Sequence, residues 1–304
     1  MNDLITDVKN LEIETLKNLR NSKAHNTLRA YQADFKDFSA FCVKNGLNSL
    51  PTEPKIVAIY LTHLSSFSKY STLKRRLASI NVIHKLKGHY IDTKHPIIAE
   101  NLMGIKRRMG VKQTAKKPLL INDLKSLINV IDEEKNEYKK HQNRALILIG
   151  FAGGFRRSEL VSIEYEDLDF VTEGVKIIVK RSKTDQTGEG MIKAIPYFDN
   201  KIYCPVLSLK NWIDFSNIQS GLVFKISDKT VALTIKKYAL IAGLDKTKYA
   251  GHSLRSGFAT STAEIGADER SIMAMTGHKT TQMVRRYIKE SNLFKNNALN
   301  KIKI

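Results

Sequence analysis

The stretch EYEDLDFVTEGVKIIVKRSKTDQTGEGMIKAIPY, residues 164–197, is where the periodicity of this chain turns over. Its residues alternate and gather into β-branched runs, which predicts three antiparallel strands with Lys183 at a turn, and TDQTG within it is ordinary turn chemistry. On either side the apolar spacing is helical. Upstream, helices are expected at about 121–135 and 141–164, the second containing the apolar run ALILIGFAGGF at 145–155 and leading into Arg156. Downstream, helices resume from about residue 205 and continue to the end. The fold class is therefore mainly α with a small antiparallel β-sheet in the C-terminal domain.

Further upstream, GVKQTAKKP at 110–118 has no apolar period, three lysines and a terminal proline, and reads as an interdomain linker. The region before it is helical throughout. Residues of about 26–45 place Leu28, Tyr31, Phe35 and Phe38 on one stripe that ends at Asn45-Gly46. Pro51 and Pro54 mark a loop before a helix carrying Val57, Tyr60, Leu61 and Leu64. A third helix at about 70–87 turns Leu73, Leu77, Ile80, Ile83 and His84 inward and Lys74, Arg75 and Lys85 outward. Pro96 precedes a fourth, closing on KRRMG with Arg107 and Arg108.

A length of 304 residues suits two domains, each able to bury a core, and 42% hydrophobic against 26% charged residues is ordinary for a folded soluble chain. The charge balance is not ordinary. The net charge is +20, and both parts are basic: residues 1–117 carry 21 basic and 9 acidic side chains, the remainder 29 and 21. Such an excess points to a polyanion, nucleic acid before an acidic membrane surface. The apolar run at 145–155 is too short to cross a bilayer, and the N-terminus has no signal-peptide core. Cys42 and Cys204 form neither a disulfide framework nor a metal-ligand spacing, which fits a reducing cytoplasm. There is no glycine-rich phosphate loop, HExxH or paired Cys/His spacing, so neither cofactor nor metal is expected.

Residues scattered over the second half would, if gathered, make a phosphodiester-cleaving site. A free phenol has a pKa of about 10, leaving roughly one in a thousand ionised at neutral pH. Tyr287 in GHKTTQMVRRY would thus need His252 or His278 to take its proton. Arginine grips nonbridging phosphate oxygens as a permanent planar fork, and Arg156 in GGFRRSEL and Arg255 in GHSLR offer two such forks. Lys183 is a candidate acid for the leaving 5′ oxygen, with Lys180 and Lys193 close by in sequence. His252 and Arg255 stand three apart on one helical face, and Glu159 is placed at i+3 to hold Arg156. His278 and Tyr287 are nine apart, opposite faces of a single helix. Both can face one phosphate only if the helix begins after His278, where Lys279-Thr280-Thr281 supplies a threonine cap. Taken singly, each residue has a plain explanation as surface contact, ion pair or loop residue. It is their joint order that is informative.

The set Arg156, Lys183, His252-x-x-Arg255, His278 and Tyr287 resembles the tyrosine recombinase (phage integrase) family. The N-terminal half also looks like that of Cre recombinase around LPTEPKIVAIYLTHL and STLKRRLASINVIHKLKG, although His278 matches a position that is tryptophan in Cre. The resemblance implies a two-domain C-shaped clamp around DNA. Its parts would be a helical, SAM-like core-binding domain at 1–110, a linker at 111–118 and a catalytic domain at 119–304. It further implies that Arg156, Arg255 and His252 bind the scissile phosphate, Lys183 protonates the leaving oxygen and Tyr287 forms a 3′-phosphotyrosyl link. Lys74, Arg75, Arg107 and Arg108 are the candidate DNA contacts. Arg285 and Arg286 add charge beside Tyr287. The tail SNLFKNNALNKIKI carries an apolar stripe of Leu293, Phe294, Ala298, Leu299 and Ile302. Such a stripe ordinarily docks on its own domain; the resemblance implies docking on a neighbouring subunit instead, in a tetramer on double-stranded DNA. A site-specific recombinase is the reading; a type IB topoisomerase and a non-catalytic DNA-binding protein of the same fold are the alternatives.

Overall fold

The computed structural model describes residues 25–110, 116–180, 190–278 and 280–291, with Leu11, Glu14 and Ile302 besides. The chain separates into two compact units, Met1–Thr114 and Ala115–Ile304.

The first unit holds four helices: α1 (His25–Lys44), α2 (Pro54–Leu64), α3 (Tyr70–Leu86) and α4 (Pro96–Met109). Pro54 and Pro96 occupy first-turn positions, where a missing N–H costs nothing. Helix α1 packs on α3 and α2 on α4, around Phe38, Tyr60, Leu61, Leu73, Ile80 and Ile98. His84 is a core residue: Nε2 accepts from the Thr52 N–H at 3.2 Å, and Nδ1 meets the Ile80 carbonyl at 2.8 Å. A second polar group, Asp34, is buried in the same unit. Asp34 pairs with Arg75 at 2.6 Å and Arg76 at 3.3 Å, while Arg76 also reaches Asp37 at 3.0 Å.

The second unit contains α5 (Ile121–Asp132), α6 (Glu137–Ala152), α7 (Arg157–Val161), β1 (Leu168–Val171), β2 (Gly174–Val179), β3 (Met191–Pro196), α8 (Pro205–Ser216), α9 (Asp228–Ile241), α10 (His252–Glu264), α11 (Glu269–Thr276) and α12 (Thr281–Ser291). The apolar run on α6 is buried from Ala145 to Ala152 and packs against α8 and α10. The strands form one antiparallel sheet in the order β1-β2-β3, with Val171 opposite Gly174 and Val179 opposite Met191. On β2, Val175, Ile177 and Val179 face the core.

The expected single helix at 141–164 is broken. Gly154 takes φ +54, a conformation that favours glycine, and the chain restarts as α7 with Arg156 at its N-cap. The break is what lifts Arg156 out of the buried α6 stripe. Helix α10 lies so close to the strap of residues 116–120, just ahead of α5, that a Cβ at Gly257 would sit 2.0 Å from the Leu119 carbonyl oxygen. The Leu119 N–H also bonds the Ser253 carbonyl at 2.9 Å. Among the described residues no helix is long and apolar enough to cross a membrane.

Candidate active site

Arg156 is built by the turn that interrupts the helix. Its own N–H donates to Glu159 Oε2 at 3.0 Å and its Nη1 to Glu159 Oε1 at 2.5 Å, so one buried carboxylate caps α7 and aims the guanidinium. Its Nη2 approaches the Gly277 carbonyl at 3.4 Å. Arg255, one turn into α10, is only 4% exposed; Nη1 donates to the Gly154 carbonyl at 2.8 Å. Its Nη2 is buried with no hydrogen-bond partner among the described residues. Burial and the Arg156 charge lower the Arg255 pKa to about 10, which leaves it cationic at neutral pH. His252 opens the same helix and is exposed.

Gly277 ends α11 in the left-handed region at φ +62 and turns the chain back so that His278 lies buried beside the arginines. Thr276 Oγ1 donates its proton to the Ile272 carbonyl at 2.6 Å. The 2.8 Å contact between Thr276 Oγ1 and His278 Nδ1 must then be donated by the ring, leaving Nε2 unprotonated. Burial, together with Arg255, Arg156 and Lys193, pushes the His278 pKa down to about 4. Helix α12 begins only at Thr281, the condition for His278 and Tyr287 to face one phosphate. The His278 and Tyr287 ring centroids are 6.2 Å apart, tilted by 35°. Helix α12 is held by Val284 and Tyr287 against Ala259 and Ala263 of α10 and Ile272 of α11, and the small alanines allow the close approach.

Four segments thus bring Arg156 with Glu159, Arg255, His278 and Tyr287 together. Lys183 lies outside the described residues, as do the side chain of Arg286 and the tail stripe apart from Ile302, which is exposed. Arg285 pairs with Glu269 at 3.1 Å. In the first unit Lys74 and Arg107 are exposed, whereas Arg75 pairs with Asp34 and Arg108 donates to Ser65 at 2.6 Å. Of the other two lysines near Lys183, Lys180 is held by Glu164 and Asp167, which raise its pKa. Lys193 is the one that reaches the site, although the sequence offers it only as a neighbour of Lys183. A signal existed: with Ile195 facing the core, the two-residue period of a strand sends Lys193 inward as well. Among the described residues no cluster of His, Cys, Asp or Glu could hold a metal ion.

A helical domain carrying this sheet, with a tyrosine beside two arginines and a histidine, is the architecture of a tyrosine-type site-specific recombinase. The chain belongs to the phage integrase family, whose profile matches residues 117–293. It is 41% identical to an integrase/recombinase xerD homolog of Selenomonas ruminantium, over 99% of this chain and 92% of that protein. It is 26% identical to the tyrosine recombinase XerC of Staphylococcus aureus, over 92% and 91% respectively. In fold it is similar to the XerH site-specific recombinase bound to a palindromic difH substrate in a post-cleavage complex (TM-score 0.62, 18% identity, 81% of this chain and 73% of that one).

Proposed function

We propose that this chain cuts, exchanges and rejoins strands of double-stranded DNA at specific sites through an ester between Tyr287 and a 3′ phosphate. The observation that carries the reading is the convergence of Arg156, Arg255, His278 and Tyr287 from four segments, with a guanidinium nitrogen on Arg255 that has no partner among the described residues. Arg156 and Arg255 hold the nonbridging oxygens and His252 adds a further contact. Tyr287 Oη attacks phosphorus as the P–O5′ bond breaks. The phenolic proton passes to His278 Nε2, whose basicity rises once a phosphate anion offsets the two arginine charges. Lys183 delivers a proton to the leaving 5′ oxygen. Attack by a 5′ hydroxyl from a second strand reverses these steps, and the ester conserves the bond energy between them.

In this reading both basic units bind the same duplex, residues 111–118 serve as the linker, and Lys74, Arg75, Arg107 and Arg108 lie on its phosphates. The enzyme works in the cytoplasm as a tetramer on DNA. The tail of one copy docks in a neighbour's apolar cavity of about 530 Å³, lined by Leu124, Phe151, Phe258, Ile265 and Met275. The apolar stripe of residues 293–302 and its start just past α12 favour that occupant. Removing residues 292–304 should leave single-site binding intact and abolish higher-order complexes in native gels; unchanged complexes would refute the exchange.

The central test uses duplexes selected for binding from a random pool, nicked beside candidate phosphates so that cleavage cannot be reversed. Wild-type protein should accumulate a covalent adduct, and Tyr287→Phe should bind equally and form none. An adduct with the phenylalanine variant would mean another nucleophile. Relaxation of plasmids lacking any selected site would favour a topoisomerase.

A further inference from the structure

Lys193 is completely buried on β3, while its neighbour Ile192 is 66% exposed: the strand puts its cation inside and its isoleucine outside. Burying an amine in an apolar core is unfavourable unless it finds polar partners, and here it has two carbonyls and a ring face. Nζ donates to the Gly153 carbonyl at 2.6 Å and to the Met275 carbonyl at 2.6 Å, and lies 4.3 Å from the centre of the Phe155 ring. These are not arbitrary carbonyls. Gly153 belongs to the turn that launches Arg156, and the adjacent Gly154 carbonyl receives Arg255. Met275 lies in the last turn of α11, just before the Gly277 turn, whose carbonyl meets Arg156 and whose next residue is His278. The strand is also the far root of the hairpin that carries Lys183.

We propose that Lys193 is a positioning residue for strand cleavage, a buried tie between the arginine turn, the end of α11 and the hairpin root that sets the spacing of the phosphate-binding groups. The proposal rests on the phosphotyrosyl reading above. It differs from a second general acid, because backbone carbonyls take two of the ammonium's three donors and no part of the side chain is exposed to reach a leaving oxygen. The surroundings agree: Glu159 favours the ammonium, Arg156 and Arg255 oppose it, His278 lies near, and burial brings the pKa down to about 7. The tie therefore titrates in the working range.

The test is single-turnover cleavage of the nicked duplex by the full chain carrying Lys193→Met, which keeps the volume and removes the donors. Cleavage at saturating protein should slow by about 10- to 100-fold, the scale for a small misplacement of reacting groups. DNA affinity should be unchanged, and the pH–rate inflection near 7 should be lost. A substrate with sulfur at the bridging 5′ position, whose thiolate leaves without a proton, should not restore the rate. Wild-type rate and pH profile in Lys193→Met would overturn the proposal, and so would full rescue by the 5′-sulfur substrate, which would make Lys193 the acid. Should the methionine variant melt early, Lys193→Arg keeps donors and cannot deprotonate; a retained inflection near pH 7 would then sink the idea. Absence of adduct with wild-type protein, or its presence with Tyr287→Phe, defeats the parent reading and this one with it.

Discussion

Arg255 shows in one side chain what the site asks of its residues. A guanidinium with one nitrogen bonded to a backbone carbonyl and another buried with no partner among the described residues has been stripped of water in advance of its ligand. Arg255→Ala and Arg156→Ala should each lower single-turnover cleavage by about 10²- to 10³-fold, the effect of removing one preorganised charge stabiliser. Arg255→Lys should fall well short of wild type because a point charge cannot replace the fork; rates within a few-fold of wild type would contradict this placement. His278 carries a pH signature. Its pKa in the folded chain, about 4, lies below the ordinary value of 6.5. The unfolded chain therefore binds more protons between those two values. Stability contributed by the neutral ring is full above about pH 6.5 and is lost as pH falls towards 4. Urea titrations of His278→Gln against wild type should show that difference, up to about 3 kcal/mol across the window. Parallel curves would mean that the ring is not held neutral.

At the scale of elements, the decisive feature is interruption. The sequence suggests one helix through 141–164, because ALILIGFA and RRSELV both have helical spacing. Gly153-Gly154 ends it, since the left-handed turn at Gly154 lets the chain reverse where a side chain would press on Phe258 and Thr276. The start of α12 after His278, by contrast, follows from the nine-residue spacing once both residues are taken to face one phosphate. Close approach matters as much as turning. Gly257→Ala would place a methyl 2.0 Å from the Leu119 carbonyl oxygen, which the strap before α5 cannot yield without moving. It should destabilise the second unit by about 1–3 kcal/mol, the usual range for overpacking. Thermal melts read the first effect, and cleavage should drop with it because Arg255 sits two residues away on the same helix. A melting temperature equal to wild type would show that the strap moves freely.

For the molecule as a whole, charge is the quantity to test. With +20 spread over both parts of the chain, DNA affinity should fall on the order of 10³-fold between 50 and 200 mM salt. Exposed Lys74 and Arg107 should each reduce that salt slope by about one when replaced by alanine. Arg75→Ala should behave differently. Arg75 is 44% exposed yet paired to buried Asp34, so its loss should lower the stability of the first unit as well as binding. A filter-binding salt series with parallel melts separates the two behaviours, and a flat salt response would contradict phosphate contact altogether.

What the residues settled unaided was local in cause: four amphipathic helices ahead of a lysine-rich strap, a lone alternating patch, and a histidine, two arginines and a tyrosine whose order has a chemical logic. Period and propensity act over a few residues, so they can be read along a line. Which lysine enters the site, which arginines are already committed to an aspartate, and which nitrogen of Arg255 lacks a partner depend on neighbours 40 to 100 positions away. Burial raises the energetic weight of such long-range contacts, and it exists only once the chain has packed.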